Sequence, residues 1–498
     1  MLLINVFVTG LCIMAIEMSA FRLLAPSFGT TQLLITNVIG TILVALSVGY
    51  WLGGRLGDRY PTPRGIYWIV IGAAVLTAAI PLVSKPILVW ADKAVVSQNL
   101  GSFFSSLSAM VFIFMIPLGL LGMVSPYAIR TSVKTKETVG SSAGRIYSLA
   151  TIGSIAGTYL PTLIFIPWLG TRATILISSA VMFLTGSLGL MTTKRGGIGA
   201  AAALVIFGFI LYPGLGPVKG GPSTLTEIES LYNYIHVVKK DGRVVLYLNE
   251  GYGYQSIHDP NKVLTGGVWD TFLALPAMST VSDKKTNVLI VGLAGGTIVN
   301  QFSHYWQEYL HIDGVEIDPR IIEVADRYFD LDRRYLDVHL ADGRRFLSGS
   351  DERYNVIILD AYKQPYIPFH LTTVEFFTKC REHLKPGGVL GINVATFTKN
   401  PEFLRMIADT LCAVFPQVYT YKVVNDDVAF MNVVLVAASA PLRLKDLEKA
   451  FPKGPPGILS FVEKQVKPLA RRDKPRVMTD DWAPIEWYVD KTLFSFFK

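Results

Sequence analysis

A turn of small residues follows a strongly apolar run at residues 287–299, NVLIVGLAGGTIV. Gly292, Ala294 and Gly296 are spaced so that a buried strand would end and a helix would begin within a few residues. Small side chains let the backbone approach a ligand, and the first turn of a helix offers it free N–H groups. The turn alone also fits a plain strand–helix connection, so its interpretation as a binding turn depends on the acids that follow it.

Two acids stand at the ends of the next two apolar runs. Glu316 ends such a run about 20 residues after the turn, where a carboxylate is placed to accept both hydroxyls of a ribose. No basic residue stands beside it to favour a ribose phosphate. Asp342 ends the third run, where an acid can accept an adenine amino group. Three sites at successive strand ends predict a nucleoside pocket; the alternative is that both acids are surface groups.

A fourth apolar run, YNVIILDAY, places Asp360 at the mouth of the same predicted sheet. A carboxylate partly removed from water there would hold a cationic substrate or take a proton from an amine. A helix cap or a loop hydrogen bond is the alternative role. Tyr362 and Tyr366 follow, and we expect them to form a wall of the substrate site. Residues 372–375 are better explained as the cap and first turn of the next helix.

The elements that position these residues follow from the alternation of apolar and turn-forming segments. From residue 287 onward, strand-like runs alternate with helical stretches, which predicts a parallel, doubly wound sheet. Residues 232–238 and 243–249 flank Asp241-Gly242 and predict a β-hairpin. We therefore expect a linker at 218–224, a hairpin segment within 225–262 and a doubly wound α/β domain at 263–498.

The first 217 residues have a different character. Seven apolar segments there are long enough to cross a bilayer, which takes about 20 residues. They lie at 2–24, 33–54, 66–84, 107–129, 146–168, 173–192 and 198–217. Glycines inside them permit close helix contact. We predict an α-helical transmembrane domain of about seven spans at 1–217, in the cell (inner) membrane. Glu17 is the one acid well inside a span, and we expect it to pair with Arg22 or to serve a substrate or ion.

Composition agrees with this division. The 498 residues are 51% hydrophobic and only 17% charged, whereas average soluble proteins have roughly 25% charged residues. Residues 1–217 hold 13 Lys and Arg against 4 Asp and Glu, a net charge of +9. The remainder holds 33 and 34, a net charge of −1. The total of +8 is therefore a signal of membrane topology and does not indicate a nucleic-acid-binding surface.

Two sequence features make opposite predictions about the side of the membrane on which the globular part lies. Nine basic residues lie in the loops after the second, fourth and sixth predicted spans, and four lie in the other connections. The positive-inside rule then places the N-terminus inside and, after seven spans, residue 218 outside. Adenosyl compounds are made in the cytoplasm, so the predicted nucleoside pocket favours a cytoplasmic globular domain.

Metal chemistry has little support in the sequence. Cys12, Cys380 and Cys412 show no paired spacing, and the seven histidines all lie after residue 230 without an H-x-x-x-H pair. We expect no metal site and no disulfide framework.

The chain resembles the spermidine synthase (polyamine aminopropyltransferase) family over roughly residues 225–440. The resemblance rests on Ser230-x-Tyr232-x-x-Ile235-x-Val237, Leu248-Asn249-Glu250-Gly251 with Gln255, the glycine turn, Val315-Glu316-Ile317-Asp318, Asp342-Gly343 and Asp360. It implies a small β domain at 225–262 before a Rossmann-like α/β domain of the methyltransferase type at 263–498, with decarboxylated S-adenosylmethionine as the aminopropyl donor. It places Asp360 at the reaction centre, as the catalytic residue.

Carried over to this sequence, the resemblance divides the site between donor and acceptor. The residues expected to bind the donor are Gln255, Gly292, Ala294, Gly296, Glu316, Asp342 and Gly343. Those expected to bind the acceptor amine are Tyr232, Asp360, Tyr362 and Tyr366.

The sequence departs from the family pattern at three points. It has Val268-Trp269-Asp270 where the family usually has Tyr-His-Glu, and Gly295 where the family has an acid within the turn. Asp360 is followed by Ala-Tyr-Lys-Gln in place of a second acid. A lysine repels a diamine, which leaves the acceptor open. The apolar N-terminal part, with HLTTVEFF and TDDWAP, resembles a subgroup that fuses this domain to a transporter-like membrane domain. The stretches Gly49–Arg59 and Gly144–Gly157 resemble its cytoplasmic loop motifs.

Three functions follow from these features. The leading one is a membrane-bound aminopropyltransferase, a transferase of polyamine biosynthesis. The same sheet, turn and ribose acid would also serve an S-adenosylmethionine-dependent methyltransferase. The third is a transporter or sensor whose globular domain binds a polyamine or nucleoside. As partners we expect a small-molecule amine and the lipid bilayer, and no nucleic acid. The assembly to test is a homodimer.

Overall fold

The computed structural model describes residues 1–28, 32–98, 102–133, 135, 138–193, 220–249, 253–362, 367–397, 401–423, 430–451, 453–455, 457–485 and 488. The chain forms two compact units. The first, called the helical unit, comprises Met1–Gly220 with Glu227–Tyr234. The second, called the globular unit, comprises Gly221–Thr226 with Ile235–Lys498.

Long apolar helices make up the described part of the helical unit. They are α1 (Leu2–Phe28), α2 (Gln32–Arg59), α3 (Pro63–Gln98), α4 (Ser102–Ser132), α5 (Val139–Leu160) and α6 (Ile166–Met191), with a π-helical turn at Pro161–Phe165. Five helical runs are long and apolar enough to cross a membrane, and the last of them, Val139–Met191, has 53 residues.

That last run is in fact two helices. At about 1.5 Å per residue it would extend roughly 80 Å, far more than the ~30 Å hydrocarbon core. Its backbone leaves helical geometry at Gly170, where φ is 84° and ψ is 165°. The predicted spans 146–168 and 173–192 lie on either side of this break, and the first four predicted spans lie in α1 to α4. The seventh, 198–217, falls outside the described residues, so the count of seven is not confirmed.

Glycines bring these helices together, as the sequence predicts. A β-carbon added at Gly53 in α2 would overlap the carbonyl oxygen of Met123 in α4. One at Gly157 in α5 would overlap the carbonyl oxygen of Leu11 in α1. Backbones this close are typical of membrane helix pairs that interact through small residues.

One expectation about this unit is wrong, and one of the two alternatives for Glu17 is excluded. The stretches Gly49–Arg59 and Gly144–Gly157, expected in loops, lie within α2 and α5. Arg22 donates to the carbonyl oxygens of Ser230, at 2.6 Å, and Leu231. Glu17 has no hydrogen-bond or ion-pair partner among the described residues, so it does not pair with Arg22.

A small antiparallel sheet precedes the α/β domain. It contains β1 (Thr224–Glu229), β2 (Tyr234–Lys240), β3 (Arg243–Leu248) and β4 (Ser256–His258), in that order. β2 pairs with β3, with Lys240 opposite Arg243. Asp241 and Gly242 have φ of 51° and 80°, which is typical of a two-residue type I′ hairpin turn. The predicted hairpin is confirmed.

An eight-stranded sheet forms the centre of the globular unit, in the order β12-β10-β11-β9-β8-β5-β6-β7. Its strands are β5 (Thr286–Val291), β6 (Leu310–Glu316), β7 (Leu336–Leu340), β8 (Tyr354–Leu359), β9 (Leu384–Phe397), β10 (Gln417–Val423), β11 (Phe430–Ala438) and β12 (Lys467–Pro468). β5 to β9 pair in parallel, while β11 runs antiparallel to β9 and β10. This arrangement confirms the predicted Rossmann-like fold.

The order of the strands decides where a ligand can bind. The chain enters the sheet at β5, winds outward through β6 and β7, and then continues on the other side of β5 through β8 and β9. The carboxyl end of β5 is therefore the switch point at which α/β sheets leave a crevice for ligands.

Helices cover both faces of this sheet. They are α7 (Val268–Phe272), α8 (Leu275–Met278), α9 (Thr297–Trp306), α10 (Pro319–Tyr328), α11 (Gly343–Ser348), α12 (Val374–Glu382), α13 (Glu402–Val414), α14 (Leu447–Ala450) and α15 (Ile458–Gln465). Val288 and Ile290 of β5 pack into one core, while Leu289 and Val291 pack into the other. Alternating residues of a strand point to opposite faces, so a continuous apolar run is what a sheet buried on both sides requires.

Candidate functional site

The glycine turn lies at the carboxyl end of β5. Gly292, Ala294 and Gly296 all have positive φ, of 94°, 47° and 84°, a region that glycine enters without steric cost. A β-carbon added at Gly292 would lie 2.6 Å from the carbonyl oxygen of Asp360. The glycine therefore serves both the backbone angle and the close approach of the turn to the end of β8.

Ser256 in β4 ties the small sheet to the glycine turn, a role that no sequence motif indicates. The N–H of Gly295 donates to Ser256 Oγ at 2.8 Å. A β-carbon at residue 295 would lie 2.7 Å from the β-carbon of Ser256, so an acid at this position would force the two segments apart. Gln255, predicted to contact the donor, is the residue before Ser256 and is half-buried.

Glu316 ends β6 at the predicted place and is 7% exposed. Its Oε2 accepts the N–H groups of Leu293 and Ala294, each at 3.2 Å. Its Oε1 accepts those of Ile317 and Asp318 at 3.0 and 3.1 Å. Burial raises the pKa of Glu316 to about 7, and the backbone N–H bonds act in the opposite direction. The carboxylate thus clamps the glycine turn to the end of β6.

Asp342 caps the helix that follows β7. Its Oδ1 accepts the N–H groups of Arg344 and Arg345, each at 3.0 Å, as an N-cap residue does. Its Oδ2 lies 2.8 Å from Nε2 of His370. This hydrogen bond from His370 holds the pKa of Asp342 below its ordinary value. A β-carbon at Gly343 would overlap the side chain of Val291, so that glycine is needed for packing against β5.

Asp360 follows β8 at the switch point, and two side chains hold its carboxylate. Trp269 Nε1 donates to Oδ2 at 3.1 Å and Asn393 Nδ2 donates to Oδ1 at 2.9 Å. Burial raises the pKa of Asp360 to about 6, while the bonds from Asn393 and Trp269 act to lower it. The group is therefore ionised near neutral pH and becomes protonated in mild acid. Asp360 therefore does not act as a helix cap, because its carboxylate accepts from two side chains.

Trp269 and Asn393 are the site residues that sequence reasoning missed as partners of Asp360. Trp269 stands where the sequence departs from the family pattern, and that departure was the available signal. Asn393 is 7% exposed, and its Oδ1 has no hydrogen-bond partner among the described residues. An unpaired buried acceptor next to a carboxylate is costly unless a ligand donates to it.

The three tyrosines predicted at the acceptor site have separate outcomes. The hydroxyl of Tyr362 donates to the carbonyl oxygen of Asn393 at 2.6 Å and accepts the N–H of Ala395 at 2.8 Å. It therefore ties the loop after Asp360 to β9. Tyr366 lies outside the described residues. Tyr232 belongs to the helical unit, in the turn between β1 and β2, and is 40% exposed.

The C-terminal TDDWAP segment meets the HLTT segment beside Asp342. Arg344 forms two hydrogen bonds of 2.6 Å with the carboxylate of Asp480. Asp480 Oδ1 also accepts the hydroxyl of Thr373 at 2.8 Å. Thr373 caps α12 by accepting the N–H of Phe376, which confirms the predicted helix cap. The two segments therefore bind each other and Arg344, next to the end of β7.

One His/Asp group outside this site brings metal-ligand atoms together. Atoms of His311, Asp313 and Asp337 lie within 4.8 Å of one another. Both oxygens of Asp313 are already engaged, with His339 Nε2 at 2.8 Å and with the hydroxyl of Tyr354 at 2.9 Å. The group is satisfied as a polar cluster between β6 and β7.

Part of the globular unit matches a known family of domains. Residues 270–429 match the model of the spermine/spermidine synthase domain. This segment, about a third of the chain, is similar to that domain family. It contains the glycine turn, Glu316, Asp342, Asp360 and Asn393, whereas Gln255, Ser256 and Trp269 lie before it.

Individual relatives match over part of their length. The chain is 39% identical over 190 residues to a probable polyamine aminopropyl transferase of Bifidobacterium longum, covering 38% of this chain and 42% of that protein. It is 34% identical over 144 residues to a polyamine aminopropyltransferase of Vibrio vulnificus, covering 28% and 47%. The chain thus spans less than half the length of these two relatives. A solved structure, a probable spermidine synthase from Corynebacterium glutamicum, is 16% identical with a TM-score of 0.39 and covers 52% of this chain and 99% of that one.

Proposed function

We propose that the chain is a membrane-bound aminopropyltransferase that moves an aminopropyl group from decarboxylated S-adenosylmethionine to an amine. The observation that carries this proposal is the buried carboxylate of Asp360, held by Trp269 and Asn393 beside the glycine turn. A desolvated anion with a pKa of about 6 suits a cationic or protonatable substrate.

The reaction needs little from the protein beyond orientation and a proton acceptor. The lone pair of the amine attacks the methylene carbon next to the sulfonium of the donor. The new C–N bond forms as the C–S bond breaks, and its electron pair goes to sulfur, which leaves as methylthioadenosine. The attacking nitrogen loses one proton, for which Asp360 is the acceptor. Holding the two reactants in line supplies most of the acceleration, and general-base help adds to it.

The donor would lie across the carboxyl ends of the parallel strands. Glu316 would accept the ribose hydroxyls, and Asp342 would face the adenine. Because four backbone N–H groups already occupy both oxygens of Glu316, the two longer bonds from the glycine turn, at 3.2 Å each, would have to give way to the ribose. Gln255, next to Ser256 in β4, would cover the donor from the small sheet. These roles agree with the strand order, since the switch point of an α/β sheet is where ligands bind.

The acceptor nitrogen would sit between Asp360 and Asn393. An amine has N–H donors to offer, and the free Oδ1 of Asn393 is a buried acceptor. Tyr362 would contribute the side of its ring, because its hydroxyl is used by β9. The site therefore binds the attacking nitrogen through two oxygens from different strands.

Methylthioadenosine release by the purified full chain tests this function directly. The protein in detergent is incubated with decarboxylated S-adenosylmethionine and a series of mono-, di- and triamines. Asp360→Asn should lower kcat/KM by about 10²–10⁴. Asp351→Asn, a change at an exposed acid, serves as the control and should leave kcat/KM unchanged. Absence of release with every amine, or full activity of Asp360→Asn, contradicts the proposal.

Methyl transfer is the second candidate. The observation that favours it is the stretch Ala-Tyr-Lys-Gln after Asp360, which supplies no second acid for a diamine. Competition between S-adenosylmethionine and its decarboxylated form distinguishes the two. A tenfold or greater preference for the carboxylated compound would favour methyl transfer, and the reverse preference would favour aminopropyl transfer.

The membrane assignment is supported by the five long apolar helical runs. We propose that the globular unit faces the cytoplasm, where adenosyl donors are made. A C-terminal reporter that works only in the cytoplasm should therefore show activity. Activity of a C-terminal reporter that works only outside would reverse the assignment. The homodimer remains a prediction, to be checked by light scattering of the purified protein.

A further inference from the structure

A cavity of about 220 Å³ lies within the helical unit. Four helices line it: α1 and α2 contribute most of the wall, and α4 and α5 contribute the rest. It is partly open, since Leu43 and Tyr50 of its wall are exposed. The wall is largely apolar, with side chains such as Ile13, Met14, Ile42 and Leu46. If a water-sized group takes roughly 30 Å³, the cavity has room for about seven such groups, which suits a short aliphatic molecule.

Glu17 is the only ionisable carboxylate among the residues that line this cavity. It has no hydrogen-bond or ion-pair partner in the described part of the chain. No lysine or arginine is among the lining residues, and the nearby Arg22 in α1 donates to the carbonyl oxygens of Ser230 and Leu231. A carboxylate among apolar helices is costly unless a cation or a proton compensates it.

Four further residues of the wall carry hydroxyl groups: Thr9, Tyr50, Ser125 and Ser154. Thr9 is 2% exposed and lines the cavity, and its Oγ1 has no hydrogen-bond partner in the described residues. This is unusual, because a threonine in a helix commonly donates to a carbonyl of the preceding turn. Ser125 and Ser154 also line the cavity, and Ser154 donates to the carbonyl oxygen of Gly10 at 3.3 Å, which leaves its lone pairs as acceptors.

This combination selects among the cations that would satisfy Glu17. A bare proton needs neither the volume of the cavity nor the unpaired hydroxyl of Thr9. A metal ion prefers a shell of several oxygens, whereas most of this wall is hydrocarbon. A primary ammonium group has three N–H donors for the carboxylate and hydroxyls, and its alkyl chain fits the apolar wall.

We propose that this cavity is a binding site for the ammonium end of a short aliphatic amine, with Glu17 as its counter-ion and Thr9 as a hydrogen-bond partner. Every lining residue belongs to the helical unit. The site is therefore independent of the transferase activity, and either proposal can fail without the other.

Equilibrium dialysis of radiolabelled putrescine against the full chain in detergent tests the site. The measurements use an Asp360→Asn background, which removes the amine site of the globular unit. Saturable binding should persist there, and n-butylamine should compete while the neutral analogue 1,4-butanediol should not. Adding Glu17→Gln, which keeps the shape and removes the charge, should weaken binding at least tenfold.

Matched hydroxyl variants supply the control. Thr9→Val should weaken putrescine binding several-fold. Thr77→Val removes another buried, unpartnered hydroxyl of the helical unit, on α3 and outside the cavity wall, and should leave the affinity unchanged. This pair decides the outcome even if Glu17→Gln fails to fold.

Three results would overturn the proposal. One is loss of all putrescine binding in Asp360→Asn alone, which would assign amine binding to the globular unit. Another is equal affinity with and without Glu17→Gln, and the third is equal weakening by Thr9→Val and Thr77→Val. Methylthioadenosine release, measured on the same preparation without the background change, reports separately on the transferase.

Discussion

The indole Nε1 of Trp269 donates to Oδ2 of Asp360 at 3.1 Å. Trp269 comes from the short helix α7 before the sheet, and Asp360 comes from the end of β8. The bond fixes one carboxylate oxygen, Asn393 fixes the other, and burial around all three raises the pKa of Asp360 to about 6. Two neutral donors thus fix the direction of the carboxylate, while burial, opposed by those two bonds, sets its basicity.

Removing the indole donor should shift the pH dependence of the reaction. The ionised form of Asp360 accepts the proton, so kcat/KM should fall as the pH drops through about 6. Trp269→Phe removes a bond that favours the ionised form, and the acid limb should therefore move upward. A hydrogen bond to a charged group contributes about 1.5 kcal/mol or more, which corresponds to about one pH unit.

The control for this shift is another indole. Trp306 is buried and its Nε1 has no hydrogen-bond partner among the described residues, so Trp306→Phe changes the same kind of side chain without touching Asp360. Its acid limb should stay in place. If kcat/KM falls at the same acid pH in Trp269→Phe and in the unmodified protein, the indole does not influence the pKa of Asp360.

Replacing Asn393 should affect both amine binding and proton transfer. Asn393→Leu removes the donor to Asp360 and the free Oδ1 that we assign to the amine. We expect KM for the amine to rise by about tenfold to a hundredfold, the equivalent of one lost bond to a charged group. Working at high pH should restore kcat, since Asp360 is then ionised, but should leave KM high. A KM that returns to the original value at high pH would leave Asn393 with only an effect on the pKa of Asp360.

Much of this site is readable from the sequence because the strand ends are local features. The apolar runs that become β5, β6 and β8 fix where Gly292, Glu316 and Asp360 fall, and a doubly wound sheet brings their carboxyl ends to one edge. The hydrogen bonds of those side chains are not local. The four N–H groups on Glu316 depend on the fold of the turn, and Trp269 reaches Asp360 from a helix 91 residues earlier in the chain. The helix break at Gly170 is readable, by contrast, because it falls between the predicted spans 146–168 and 173–192.

Glu316→Gln should alter the dependence of stability on pH. Burial raises the pKa of Glu316 from 4.5 to about 7, so the folded protein holds this proton more tightly than the unfolded chain. The contribution of this proton to the free energy of unfolding is fully present below pH 4.5 and is lost as the pH rises through about 7. A glutamine does not titrate, so the variant should lose this slope. It also turns an NH₂ group toward backbone donors, which costs about 1–3 kcal/mol.

Urea unfolding of the globular unit within the full chain, followed by near-UV circular dichroism at pH 5 and pH 7.5, measures both effects. Glu323→Gln in α10 is the control, since Glu323 is exposed and pairs only with Arg320 among the described residues. At either pH, this variant should change the free energy of unfolding by no more than about 0.5 kcal/mol. The assignment fails if Glu316→Gln keeps the pH slope of the unmodified protein.

Adjacent acids near the C-terminus should differ in their effect on stability. Asp480 forms a bidentate pair with Arg344 and accepts the hydroxyl of Thr373, and the guanidinium holds the pKa of Asp480 below its ordinary value. Asp481 is exposed. Asp480→Asn should cost about 1 kcal/mol, as expected for a half-exposed pair with good geometry, and Asp481→Asn should cost nothing measurable by the same urea assay. Equal costs would show that the pair with Arg344 contributes no stability.

Adjacent glycines in α2 provide a test of the helical unit. A β-carbon at Gly53 would overlap the carbonyl oxygen of Met123 in α4, whereas one at Gly54 meets nothing within 4 Å. Gly53→Ala should therefore force the two helices apart and lower the thermal unfolding temperature of the protein in detergent. Gly54→Ala should be neutral or slightly stabilising, because alanine favours a helix by up to about 1 kcal/mol over glycine. If both variants unfold at the same temperature, α2 and α4 do not meet through Gly53, since helix propensity alone treats the two positions alike.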